Sequence, residues 1–144
     1  MTSSHADLII RIHGIAGARA ACRVMASVPF TLLSPLNAAM SLGAGWFGAV
    51  IDQVRQEFPN SDFKAILDCR GRVSGALAAI KIGLDGVIVE PDTSSQFDRL
   101  SDLGAQSNCH VALDLPKDSS IYEMGDAVLP DHELDRRLRL HLTD

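Results

Sequence analysis

The stretch 63–90, FKAILDCRGRVSGALAAIKIGLDGVIVE, contains one complete strand–helix–strand unit. Residues 63–68 and 86–90 are short apolar runs of the kind that form strands buried on both faces. Between the two runs, apolar residues recur three or four positions apart, as in a helix: Val73, Leu77 and Ile80. Gly83 follows, where a helix C-cap is expected. Because two strands joined by a helix usually pair in parallel, this unit predicts a parallel α/β sheet.

The same alternation continues in both directions along the chain. Strands are predicted at 7–12, 29–34, 63–68, 86–90 and 110–115. Helices are predicted at 17–26, 38–58, 71–83, 94–108 and 131–142, with Ser95 as a candidate N-cap of the fourth. With no linker or repeat, residues 1–144 are interpreted as a single three-layer domain with about five parallel strands, an open sheet like that of flavodoxin. The alternative is a half-barrel that pairs with a second copy.

Composition excludes several classes of protein. The 144 residues suffice to bury a sizeable core without metal or disulfides, and apolar residues make up 47% of the chain. The net charge of −5 gives no general attraction for nucleic acid. No apolar stretch is long enough to cross a membrane. Three widely spaced cysteines argue against a disulfide framework, so a reducing cytoplasm is the expected location.

The motif GAGWFG at 43–48 has the G-x-G-x-x-G spacing of a dinucleotide-binding turn. A true fingerprint begins directly after a strand, whereas eight residues separate Gly43 from the predicted strand that ends at Ser34. Asp68 lies about twenty residues after the motif, where such folds place the carboxylate that binds a ribose. The favoured interpretation is a helix whose small residues pack closely on the sheet. A bound dinucleotide and a simpler anion site stay as alternatives.

Polar residues follow the predicted strands at the edge where ligands of open parallel sheets bind. This edge gives the candidate ligand-binding residues Ser34, Asn37, Gly43, Gly45, Arg70, Glu90 and Asp92, together with His13 and Asp114. Asp68 is the candidate general acid or base, and Cys69 is a second candidate catalytic residue because a neighbouring arginine lowers a thiol pKa. Packing or helix capping is the alternative for each. The five histidines have no metal-ligand spacing, so no metal site is predicted.

Residues 63–90 resemble a strand–helix–strand segment of the class II fructose-bisphosphate aldolases. The likeness includes Leu67-Asp68, Gly83 at the helix end and the strand Val87-Ile88-Val89-Glu90. It implies barrel-like geometry and a proton-donor role for Asp68. Cys69 stands where that family has a zinc-binding histidine, so the metal chemistry is not carried over. The whole chain also resembles a small bacterial α/β family with the features LLSP, GxGWF and LDC. No particular activity follows from this second resemblance.

Two functions are compatible with these patterns. In the first, the protein binds a small anionic metabolite, which can be phosphorylated, at the carboxyl edge of the sheet. Arg70 then holds the anion, Asp68 provides acid–base catalysis, and the 34–37 loop and the glycine motif close the pocket. In the second, the protein is a non-catalytic module that self-associates or binds another protein. The open edges of a short sheet also predict a homodimer. Whether it is an enzyme, and with which cofactor, stays open.

Overall fold

The chain forms a parallel sheet with helices in the connections between strands. The computed structural model describes residues 8–36, 43–70, 73–115 and 120–143. Along the chain the elements are β1 (Ile9–Arg11), α1 (Ile15–Met25), β2 (Phe30–Leu33), α2 (Gly43–Glu57), β3 (Phe63–Asp68), α3 (Val73–Ile82), β4 (Gly86–Ile88), α4 (Ser94–Gln106), β5 (His110–Ala112), β6 (Ile121–Glu123) and α5 (Asp131–Thr143). The prediction of an α/β fold with parallel strands alternating with helices is confirmed.

Two local details differ from the sequence-based expectation. The sheet has a sixth strand, β6, which pairs in parallel with β1. It is only three residues long, Ile-Tyr-Glu, which is too short an apolar run to predict a strand. Its two outer residues are exposed. The N-cap of α4 is Thr93, not Ser95, because the Thr93 hydroxyl accepts a hydrogen bond from the backbone N–H of Gln96 at 3.1 Å.

The strand order distinguishes the two arrangements that the sequence left open. The order is β5-β4-β3-β2-β1-β6, so the first five strands lie side by side in chain order. Right-handed crossovers that always move in one direction place every helix on the same face of a sheet. The helices form one row, with contacts between α5 and α1, α1 and α2, α2 and α3, and α3 and α4. Within the open-sheet class, this arrangement is the half-barrel alternative.

The main core lies between the sheet and this row of helices. Buried residues of all five helices belong to one cluster, for example Ala21, Phe47, Ala79, Leu100 and Leu138. The strands contribute alternate side chains to that cluster: Ile10, Leu32, Ala65, Val87 and Val111. The intervening side chains point to the opposite face, because successive residues of a strand face opposite ways. We call the two sides the covered face and the helix-free face.

The helix-free face has a smaller apolar cluster of its own. Ile9, Leu33 and Ile88 form it, and Ile66 and Leu115 pack against it. Leu33 belongs to β2 and Ile88 to β4, with β3 between them. Strands two positions apart are separated by almost 10 Å in a flat sheet. Ile66 of β3 lies between them, so the cluster runs continuously from β1 to β4 across the helix-free face.

Candidate functional site

A chain of polar contacts crosses the carboxyl ends of four neighbouring strands. Arg11 of β1 donates from Nε to Glu123 of β6 at 3.2 Å and from Nη1 to the carbonyl oxygen of Ser34 at 2.9 Å. The hydroxyl of Ser34 accepts from the backbone N–H of Asp68 at 2.9 Å and donates to the carbonyl oxygen of Pro35 at 3.1 Å. The Arg11 side chain is only 6% exposed. These contacts fix the position of the backbone at the end of β3.

Asp68 and Arg70 form the centre of this arrangement. Oδ1 of Asp68 accepts from the backbone N–H of Arg70 at 3.1 Å and from its Nε at 3.0 Å, and Oδ2 accepts from Nη2 at 2.6 Å. The Asp68 side chain is 1% exposed and that of Arg70 is 33% exposed. These hydrogen bonds are the main reason that the pKa of Arg70 is raised, and the charges of Asp68, Asp114 and Glu90 add to the effect. Two of the three guanidinium nitrogens are thus held by a buried carboxylate.

The third nitrogen of Arg70 points toward the end of β5. Its Nη1 lies 3.7 Å from Oδ1 of Asp114, too far for a hydrogen bond, and the Asp114 side chain is 77% exposed. Asp114 instead accepts a hydrogen bond from the backbone N–H of Leu115 at 2.8 Å. We call these connected residues the rim: Arg11, Ser34, Asp68, Arg70, Asp114 and Glu123. Among the described residues none forms a hydrogen bond with Nη1, so within that part of the chain one edge of the Arg70 guanidinium is available to a ligand.

An apolar cavity lies below the rim on the helix-free face. It has a volume of about 470 Å³ and runs along β3, β4 and β5. Its middle is lined by Ile66, Ile88 and Ala112, and Asp114 and Leu115 line it at the carboxyl end. We call it the helix-free groove. Its volume is within the range of small-molecule sites, and a mostly apolar wall with a few polar groups is typical of them.

Cys69 does not share this environment. It lies between Asp68 and Arg70 in sequence, but its side chain is fully buried in the main cluster on the covered face. Burial, with a smaller contribution from the charge of Asp68, raises the pKa of the Cys69 thiol to about 12. A thiol in such surroundings is neutral and unreactive near pH 7. This placement argues against the predicted catalytic role of Cys69 and favours packing.

Glu90 and Asp92 lie outside the groove. Both are exposed in the loop between β4 and α4, and they line a separate open cavity of about 480 Å³ with Thr93, Phe97 and Leu113. The backbone N–H of Asp92 donates to Oε1 of Gln96 at 2.7 Å, a contact that helps to begin α4. The structure therefore does not bring these two predicted residues into contact with the Asp68–Arg70 pair.

The glycine motif lies in a helix. β2 ends at Leu33 and α2 begins at Gly43, so the motif occupies the first turns of α2 and does not follow a strand directly. Gly43 has a φ of +84°, which suits a glycine at the helix start, and Gly45 is exposed. A Cβ on Gly48 would lie 2.7 Å from Cδ1 of Ile82 in α3. Close helix packing is thus the better interpretation of the motif. Asn37, also a predicted ligand-binding residue, lies outside the described residues.

Three residues of this edge were missed by the sequence analysis: Arg11, Glu123 and Asp126. Arg11 lies inside an apolar run, where its charge is the only signal. Asp126 follows β6, and its fully buried carboxylate accepts from the backbone N–H groups of His13 at 3.0 Å, Gly14 at 2.9 Å and Gly17 at 3.1 Å. His13 was expected at this edge, and its Nδ1 lies 3.1 Å from Asp126. This carboxylate fills the N-terminus of α1, where an external anion would otherwise bind.

The chain matches no protein-family model and no curated protein. The resemblance of residues 63–90 to the class II aldolases therefore stays a prediction. Among residues 8–36, 43–70, 73–115 and 120–143, no helix is both long and apolar enough to pass through a membrane. Within those same ranges, no three His, Cys, Asp or Glu side chains are grouped so that they could hold a metal ion.

Proposed function

We propose that this protein binds a small anionic molecule at the rim, with the anionic group on the available edge of Arg70. The observation that carries the proposal is the orientation of this guanidinium. Asp68 holds Nε and Nη2 and leaves Nη1 3.7 Å from Oδ1 of Asp114, which lines the carboxyl end of the helix-free groove. An arginine fixed in this way presents its donors to a carboxylate or phosphate with little loss of side-chain entropy.

Asp68 is a positioning residue in this proposal. Both of its carboxylate oxygens already accept hydrogen bonds from Arg70, and almost none of its surface reaches solvent. A general base needs to reach the proton that it removes, directly or through one water. The geometry therefore supports binding better than the predicted acid–base catalysis by Asp68, and the proposal includes no chemical step.

The surrounding charges favour a monoanion over a phosphate ester. Asp114 lies 3.7 Å from the free nitrogen of Arg70, and Glu90 is close enough to contribute to the raised pKa of Arg70. Two like charges near the site repel a doubly charged group more than a singly charged one. A carboxylate is the simplest ligand head group that meets this condition.

A thermal-shift titration with sodium acetate, at ionic strength held constant with sodium chloride, tests the proposal. Ligand at 100 times its Kd is expected to stabilise the fold by about 2.7 kcal/mol. Arg70→Gln should abolish the acetate-dependent shift, measured against the melting temperature of the variant itself. Arg19→Gln, which removes an arginine from the outer surface of α1, is the matched control and should keep it.

Asp114→Asn provides the complementary test, because it removes a charge and leaves an oxygen that can accept from Leu115. It should strengthen acetate binding by at least about fivefold, the fold-change equivalent of about 1 kcal/mol for two like charges about 4 Å apart in bulk water. The proposal fails if acetate stabilises the wild type and Arg70→Gln equally, or if Asp114→Asn weakens binding.

Self-association is a second candidate, favoured by the bare face of the sheet. Parallel sheets are usually covered on both faces, and among the strands that the structure describes β5 and β6 each pair with one neighbour. A second copy on the helix-free face would give the predicted homodimer. Light scattering at micromolar concentration should then give a dimer, and Ile66→Glu should give a monomer. A strictly monomeric wild type would eliminate this candidate.

The three buried, free cysteines support a reducing cytoplasm as the proposed location of the protein.

A further inference from the structure

The helix-free groove continues from the rim along the sheet, and its wall changes in character. At the carboxyl end it is polar, at Asp114, which lies beside the free nitrogen of Arg70. In the middle it is apolar, lined by Ile66, Ile88 and Ala112. At the amino end it is polar again, at Lys64, Asp85 and His110. The apolar part therefore begins close to the proposed anion site.

The length of the groove can be read along β5 and the residues that follow it. His110 lines one end, and Asp114 lines the other end four residues later. At about 3.3 Å per residue in a parallel strand, this segment spans roughly 13 Å. A volume of about 470 Å³ over such a length describes an elongated cavity. It is suited to an extended chain better than to a compact ring system.

The wall of the groove also has apolar surface that a ligand would remove from water. Ile66, Ala112 and Leu115 are each only partly buried, and the described residues that line the groove belong to strands and loops. Burying such surface against an alkyl chain is favourable in proportion to the area covered. A short polar metabolite would leave it exposed.

We infer that the ligand is an aliphatic monocarboxylate, with its carboxylate on Arg70 and its alkyl chain in the helix-free groove. This inference rests on the proposed function, since it uses the same arginine, and it adds the chemical class of the ligand. The fixed guanidinium sets the direction of the chain. Asp68 holds Arg70 in place, and its Nη1 lies 3.7 Å from Asp114 at the carboxyl end of the groove. Lys64 at the amino end is exposed, and Asp85 there is paired with Arg55 at 2.8 Å.

Isothermal titration calorimetry with acetate, butyrate, hexanoate and octanoate, below micelle-forming concentrations, tests the inference. Each added methylene that enters the groove should tighten binding by up to about fourfold, the fold-change equivalent of about 0.8 kcal/mol per buried CH₂. The stoichiometry should be one ligand per chain. Octylammonium, with the same chain length and the opposite charge, should bind far more weakly than octanoate.

Ala112→Phe is designed to fill the middle of the groove. It should remove the gain in affinity from butyrate to octanoate. Ala49→Phe places the same side chain at an exposed position of α2 and is the matched control. If Ala112→Phe does not fold, nuclear Overhauser contacts between the terminal methyl of octanoate and the methyls of Ile66 and Ile88 in the wild type take its place.

The outcomes separate the inference from the proposed function. Acetate binding that Arg70→Gln abolishes, with no gain on lengthening the chain, would overturn the inference and leave the rim site intact. Octanoate binding that Arg70→Gln does not change, or that exceeds one ligand per chain, would overturn the inference and also the proposed anion site at Arg70. Chain-length dependence that is lost in Ala112→Phe and kept in Ala49→Phe would support the inference.

Discussion

The two faces of the sheet are built from the same strands and differ in what they bury. Leu67 and Ile66 are adjacent in β3, yet Leu67 is fully buried beneath the helices and Ile66 is half-buried on the helix-free face. All three cysteines lie on the covered face. The buried charged residues Arg11 and Asp68 lie two residues after Ile9 and Ile66 in the same strands, so they belong to the helix-free face. The covered face thus holds most of the apolar core, and the opposite face holds these two buried charged residues.

The neighbouring pair in β3 provides the largest expected effect. Leu67→Ala should lower the free energy of unfolding by about 3 kcal/mol, because it leaves a cavity in a tightly packed core. Ile66→Ala should lower it by about 1 kcal/mol, because part of that side chain is already in contact with water. Urea unfolding followed by circular dichroism measures both values. Equal losses would mean that the helix-free face is covered in solution and would favour the homodimer.

A buried carboxylate and an exposed one, Asp126 and Asp92, both follow strands at the carboxyl edge of the sheet. On the covered side, Asp126 satisfies the backbone donors at the start of α1, and a Cβ on Gly17 would collide with its carboxylate. Asp126→Ala should therefore cost about 2 kcal/mol of folding free energy, since buried N–H groups lose their acceptor. Asp92→Ala, which removes an exposed carboxylate, is the control in the same unfolding experiment. A loss no larger than that of the control would show that Asp126 is not a structural acceptor.

The helix–strand alternation was predictable because it depends on local patterns. The unit from β3 to β4 combines two apolar runs, a helical repeat and Gly83, whose φ of +86° fits the predicted cap. Strand order depends on which strands pair, and pairing is decided by contacts between distant residues. The choice between a doubly wound sheet and a half-barrel therefore could not be made from local patterns. β6 was missed because its three residues have no apolar run.

The candidate site was predictable in part for a similar reason. Asp68 and Arg70 follow a predicted strand, so their place at the edge could be inferred. The alternation of side chains along that strand also indicates that Cys69 faces the other way, and this signal was available in the sequence. The support that Arg11 and Ser34 give to Asp68 joins three strands. Such contacts become visible only once the pairing of the strands is known.

The smallest expected effect lies outside both faces, on the outer surface of the helix layer. Arg19 of α1 donates to Glu57 of α2 at 2.8 and 2.7 Å, with side chains 40% and 28% exposed. Hydrogen bonds from Arg19, and then from Gln53, lower the pKa of Glu57 to about 2. A carboxyl whose pKa is lower when folded stabilises the fold above its ordinary pKa of 4.5, and this contribution is lost as the pH falls toward 2.

Nuclear magnetic resonance titration of the Glu57 carboxyl measures this shift. Arg19→Gln should raise the pKa of Glu57 toward its ordinary value and leave the melting temperature at pH 7 almost unchanged, because solvent screens exposed ion pairs. Glu133, whose pKa is also lowered to about 2 by Arg136 and Arg137 within α5, is the internal control and should not move. A Glu57 carboxyl that titrates near 4.5 in the wild type would contradict the Arg19–Glu57 ion pair. A large loss of stability in Arg19→Gln would mean that the helix layer depends on its outer surface as well as on the covered face.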